Sequence, residues 1–84
     1  MTIEKEFRDI SITLARQYVA SLPDCTQDGD VFHGPDWTIT LRELEPVPVG
    51  PMSFARVHFV LEGDRASTER IWGTLQHRFI RGGA

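Results

Sequence analysis

The chain has 84 residues, a formal net charge of −3, 40% hydrophobic residues and a single cysteine. That length allows one thin core, and a lone Cys25 excludes an intrachain disulfide and with it a secreted, stapled scaffold. The charged start, Met1 to Arg8, excludes a signal peptide, and no apolar run approaches the length of a membrane span, so a soluble cytoplasmic protein is expected.

Net negative charge argues against a dedicated nucleic-acid binder, although its distribution is uneven. Asp24, Asp28, Asp30 and Asp36 form an acidic stretch, whereas Arg65, Arg70, Arg78 and Arg81 face only Glu69 near the C-terminus. The chain holds eight arginines against one lysine, Lys5, a bias that base composition alone can produce. Arginine abundance is therefore weak evidence for phosphate recognition.

From Ile3 to Leu22, apolar residues at Ile3, Phe7, Ile10, Leu14, Tyr18 and Leu22 recur in steps of three and four and predict one helix. Thr2 is its expected cap, and Pro23 stops it. Ile12 lies off the stripe. Alternation of Ile10, Ile12 and Leu14 with Ser11 and Thr13 gives a competing short strand before a shorter helix. Asp24–Asp30 reads as a polar connector. Val31-Phe32-His33 reads as a short strand, joined through the Gly34-Pro35-Asp36 turn to a longer one that starts at Trp37.

The clearest pattern is a hairpin over Trp37–Glu62. Trp37-Thr38-Ile39-Thr40-Leu41-Arg42 and Ala55–Glu62 both alternate at period two, which predicts a core face of Trp37, Ile39, Leu41, Val57, Phe59 and Leu61. Between the arms, Glu45-Pro46-Val47-Pro48-Val49-Gly50-Pro51 is too rich in proline for a central strand and reads as a stiff exposed loop. Symmetric pairing about it sets Thr40 against His58, Arg42 against Arg56, and Leu44 against Phe54. After Gly63, Asp64 caps a second helix carrying Ile71, Trp72, Leu75 and Phe79 on one stripe. Gly73 offers close packing there, and Gly82-Gly83 is the expected left-handed stop.

The expected fold is a single α+β domain over residues 1–84, of order α-β-β-β-α. It would be a two-layer sandwich, with a three-stranded antiparallel sheet and both helices on one face. The other sheet face would stay open and would carry Thr38, Thr40, Arg42, Leu44, Phe54, Arg56, His58 and Val60. Thr40, Arg42, Phe54, Arg56 and His58 are its candidate binding residues. Opposed arginines call for an anion or a partner carboxylate between them, and uncovered Leu44, Phe54 and Val60 favour a protein partner.

Chemical motifs are absent. Cys25, His33, His58 and His77 show no paired-ligand spacing, and Asp28-Gly29-Asp30 lacks the rest of a calcium loop, so neither a metal, a cofactor nor catalysis is expected. Glu43 and Glu45 serve solubility, and Pro48-Val49-Gly50-Pro51 matches the minimal polyproline signature without a flanking base. The order α-β-β-β-α, with Gly34-Pro35-Asp36 between the first strands, resembles a double-stranded-RNA-binding domain. That resemblance implies RNA contacts from a lysine-rich start to the second helix. Here Asp64–Arg70 holds two arginines and no lysine. Arg81-Gly82-Gly83 resembles the diglycine tail of ubiquitin-like sulfur carriers. Such carriers begin with a β-hairpin and end on the glycines, whereas a first helix and a final Ala84 are read here, so the glycines are assigned to a helix stop. The sequence therefore predicts a non-catalytic association module, acting as a homodimer or adaptor through the open face, with RNA or phosphate-ligand binding as the alternative.

Overall fold

The computed structural model describes residues 1 to 82. Seven elements succeed one another along the chain: β1 (Thr2–Arg8), α1 (Ile12–Ala20), β2 (Thr26–Asp28), β3 (Val31–His33), β4 (Trp37–Val49), β5 (Met52–Gly63) and α2 (Arg65–Gly82). The five strands form one antiparallel sheet in the order β1-β5-β4-β3-β2. The α+β class holds, but the three-stranded sheet and the α-β-β-β-α order do not. Two additional strands, β1 and β2, form the opposite edges of the sheet.

The first correction concerns the N-terminal twenty residues. Ile3 and Phe7 are four apart, a spacing that fits a helical stripe and equally one face of a strand. The chain uses the second option, pairing β1 with β5 from Thr2 opposite Glu62 to Arg8 opposite Arg56. Asp9 then takes φ 63°, a left-handed conformation that aspartate tolerates better than most residues, and turns the chain out of the strand. The helix begins only at Ser11, whose Oγ accepts from Leu14 N–H at 3.1 Å. Neither the long helix nor the Ile10–Leu14 strand forms. Ile12, the residue off the predicted stripe, is buried with Ala15 and Val19, while Leu14 and Tyr18 are half-covered.

α1 crosses the sheet from the β1 edge to the β2 edge. β2 consists of three exposed residues, with no apolar member to distinguish Asp24–Asp30 from a polar connector. β3 forms as predicted and pairs with β4 across the Gly34-Pro35-Asp36 turn. That turn is tight: a Cβ on Gly34 would overlap the Trp37 indole.

The predicted core face is correct in every member. Trp37, Ile39, Leu41, Val57, Phe59 and Leu61 are all buried, together with Phe32, Ile71, Leu75, Phe79 and the apolar residues of α1. Both helices cover this face. α2 is capped as expected, with Asp64 Oδ1 accepting from Ser67 N–H at 2.9 Å. Gly73 does not mediate close packing: it is exposed, and a Cβ there meets nothing within 4 Å. α2 continues through Gly82, and the Gly83 half of the expected stop lies outside the described residues. No helix among the described residues is long and apolar enough to cross a membrane.

The proline segment is the second correction. β4 runs through Pro46 and Pro48 to Val49, and only Gly50-Pro51 forms the loop. Gly50 has φ 60° at the first of two turn positions, the place where a two-residue hairpin favours glycine. In such a hairpin Val49 and Met52 form a hydrogen-bonded pair, so Pro48, opposite Ser53, takes the alternate position with its nitrogen facing away from β5. Proline is tolerated because this part of the ladder is a two-stranded arm with free edges. The arm contributes to an elongated molecule of 43 × 22 × 19 Å.

Candidate protein-contact face

Strand register sorts the side chains of the uncovered face into rows. One row runs Glu4, Val60, Thr40, Val31; the next Glu6, His58, Arg42; the next Arg8, Arg56, Leu44. Arg42 therefore lies opposite His58, not Arg56, and Thr40 lies opposite Val60. Leu44 meets Arg56, and Phe54 meets Val47. The shift is by two residues, so every predicted member keeps its face while its neighbours change.

The expected Arg42–Arg56 opposition is absent because the register separates them. Where Arg8 does oppose Arg56, β1 also brings Glu6, an acid that a helix over Ile3–Leu22 would have kept away, to bond both. Arg56 Nη1 donates to Glu6 Oε1 at 3.2 Å, and its Nε donates to the Glu45 carbonyl at 2.7 Å. Arg8 Nε reaches the other Glu6 oxygen at 3.2 Å, and His58 Nε2 lies 3.0 Å from Glu4 Oε1. Arg56 and His58 are thus engaged within the sheet. Among the described residues Arg42 is exposed and has no ion-pair partner.

Beyond the Arg56 row, the character of the face changes. A bulge in β4 between Leu44 and Val47 inserts one extra residue relative to β5. Without it, strict alternation would send Val47 and Val49 to the helix side of the ribbon. With it, Val47 opposite Phe54 and Val49 opposite Met52 share the face of Leu44 and Arg56. From Pro46 to Ala55 no side chain is ionisable. Val49 is 55% exposed and Met52 59%, the two large apolar side chains most open to solvent among the described residues, followed by Met1 at 53%. The uncovered face therefore ends in an apolar arm, stiffened by Pro46, Pro48 and Pro51. Phe54 and Leu44 were legible in the sequence as members of this surface; Val47, Val49 and Met52 were hidden by the assumption of a loop.

Arg16 on α1 grips Asp30 of the β2–β3 turn through Nε–Oδ1 at 2.6 Å and Nη2–Oδ2 at 3.3 Å. The hydrogen-bonded guanidinium holds the Asp30 carboxyl below its ordinary range. Half-burial pushes the Cys25 thiol up, away from the reactive thiolate. Among the described residues no group of three or more metal-ligating side chains comes together. A shallow hollow at the root of the arm is lined by Glu43, Leu44, Glu45, Pro46 and Ala55, and a second by the Gly34–Thr38 turn with Glu62 and Gly63.

These features define a small two-layer α+β protein whose five-stranded antiparallel sheet is helix-covered on one side and uncovered on the other. The chain belongs to the family described as archaeal MoaD-like protein, which matches it over residues 3–84. No curated protein matches the chain in sequence.

Proposed function

We propose that this chain is a non-catalytic association module, an adaptor that engages the apolar surface of another protein through the arm end of its uncovered sheet face. The observation that carries this reading is the bulge, which turns Val47 and Val49 onto the side of Met52 and Phe54 and so builds a continuous apolar strip where a plain hairpin would split it. Exposed apolar strips of this kind on stiff supports mark protein contacts. The engagement of Arg56 by Glu6 favours a protein partner over RNA or a phosphate ligand, because it neutralises a cation that such a ligand would need.

A photo-crosslinking side chain at Met52, compared with one at exposed Glu69 on α2, tests the reading in the native source. A discrete adduct at Met52 that Val49→Asp abolishes is the expected result. Equal labelling at both positions, or none at the arm, overturns it. Arg56→Glu is a poor probe, since it would break bonds inside the sheet.

The family description together with Arg81-Gly82-Gly83, which resembles the tail of ubiquitin-like sulfur carriers, supports a second reading, in which hydrolysis of the Gly83–Ala84 bond removes Ala84 and the freed Gly83 carboxyl carries sulfur. The topology weighs against it, because β1 leads into a helix and not into a hairpin, and Gly82 lies within α2. Intact-mass measurement of the protein from its native source separates the two. A terminal glycine bearing sulfur in place of one oxygen would establish carriage, and an unmodified chain would remove it.

A further inference from the structure

The sheet has two edges, and they are treated differently. β2 is three residues long, and the outer side of the arm loses a backbone donor at Pro48. Both are ordinary ways of blunting an edge. β1 is seven residues long, without proline, glycine or a bulge, and among the described residues nothing pairs with its outer side.

The direction of its free groups is set by its two ends. Met1 and Gly63 exchange two backbone bonds, at 2.9 and 3.2 Å, and Asp9 N–H donates to the Ala55 carbonyl at 2.7 Å. Antiparallel alternation then turns the N–H and C=O groups of Ile3, Lys5 and Phe7 toward β5. Those of Thr2, Glu4, Glu6 and Arg8 face outward. Thr2, Glu4, Glu6 and Arg8 thus offer an unbroken row of donors and acceptors to an added strand.

We infer that this edge pairs with the same edge of a second copy, β1 antiparallel to β1 about a two-fold axis at Phe7, joining two five-stranded sheets into one. Charge selects both the occupant and the register. A two-fold axis requires residues of equal parity to face each other if the two uncovered faces are to stay on the same side. An axis at Lys5 would set Lys5 against the partner's Lys5, and Glu4 against the partner's Glu6. An axis at Glu6 would oppose two glutamates. An axis at Phe7 sets Glu6 against the partner's Arg8 twice, with two phenylalanines at the centre. Opposite charges meet at the two paired positions that flank the axis inside β1. Arg8, its side chain 67% exposed, would exchange its bond to Glu6 of its own chain for one to the partner's Glu6.

The pairing is short, so the dimer is expected to depend on concentration. Light scattering over a dilution series, paired with amide hydrogen exchange, tests it on the intact chain. The expected result is a mass rising toward two chains, with the Glu6 and Arg8 amides gaining protection as the dimer forms. Arg8→Pro removes an outward N–H and a cation without touching the β1–β5 ladder, and should leave a folded monomer. If that variant does not fold, Arg8→Glu serves the same purpose by opposing the partner's Glu6. A mass of one chain up to about 1 mM, or a dimer untouched by both variants, overturns the inference. Met52→Asp should leave the dimer intact, so failure of the arm as a docking surface and failure of the β1 edge are read separately.

Discussion

At the scale of single residues, the Arg16–Asp30 pair is the clearest case of position deciding behaviour. It ties the β2–β3 turn to α1 and holds the Asp30 carboxyl below its unfolded value. A carboxyl with a depressed folded pKa stabilises the fold above its unfolded pKa and loses that contribution as pH falls toward the folded value. Asp30→Asn should therefore melt below wild type at neutral pH. The gap should close as pH drops below about 4, where the unfolded carboxyl protonates. Thermal melts of both proteins across that range check this, and a gap independent of pH would refute an electrostatic origin. Gly73 gives a simpler expectation. It is exposed inside α2 with open space where a Cβ would sit, so Gly73→Ala should stabilise by about 1 kcal/mol. For a domain of this size that is roughly 4–8 °C in midpoint.

At the scale of elements, what was legible was what had a pattern that only one structure satisfies. The alternation in Trp37–Arg42 and Ala55–Glu62 fixed the core face, and Asp64 with Ile71, Leu75 and Phe79 fixed α2. β1 was illegible for two reasons. Ile3 and Phe7 fit both periods, and the residue between them on the covered face is Lys5, whose Nζ lies 5.9 Å from the Trp72 ring centroid. No local rule places a lysine there. The site inherited this error: with β1 taken as helix, Glu4 and Glu6 were missing from the face, and Arg42 and Arg56 seemed to need an external anion. The register slipped by two because the turn lies at Gly50-Pro51, near the end of the proline segment and not at its middle, and the one-residue bulge in β4 takes back only part of that difference. The helix boundary gives a direct check. Ser11→Ala removes the acceptor for Leu14 N–H and should cost about 1 kcal/mol, whereas Thr2→Ala, at the cap the sequence suggested, should cost almost nothing. Chemical denaturation of the two variants distinguishes them.

At the scale of the whole molecule, one side chain links the layers. Phe59 on β5 is fully buried, with its ring 5.7 Å from Phe7 on β1 and 5.6 and 5.5 Å from Trp72 and Phe79 on α2. The edge strand, its neighbour β5 and the longer helix meet there, and Tyr18 of α1 joins through Phe79 at 5.5 Å. Phe59→Ala should cost about 3–5 kcal/mol, the range for phenylalanine in a packed core. A chain this short has a total stability of only about 5–15 kcal/mol, so the variant should be close to unfolding at physiological temperature. Met52→Ala removes a side chain of comparable bulk from the arm and should change stability by less than about 0.5 kcal/mol, since the residue lies 59% exposed. Urea titrations followed by fluorescence of half-buried Trp72 measure both. If Met52→Ala were as damaging as Phe59→Ala, the arm would be part of the fold and not a surface kept free for a partner. If instead only Phe59→Ala lowers the midpoint, the covered face holds the molecule together and the apolar strip on the uncovered face is left to function.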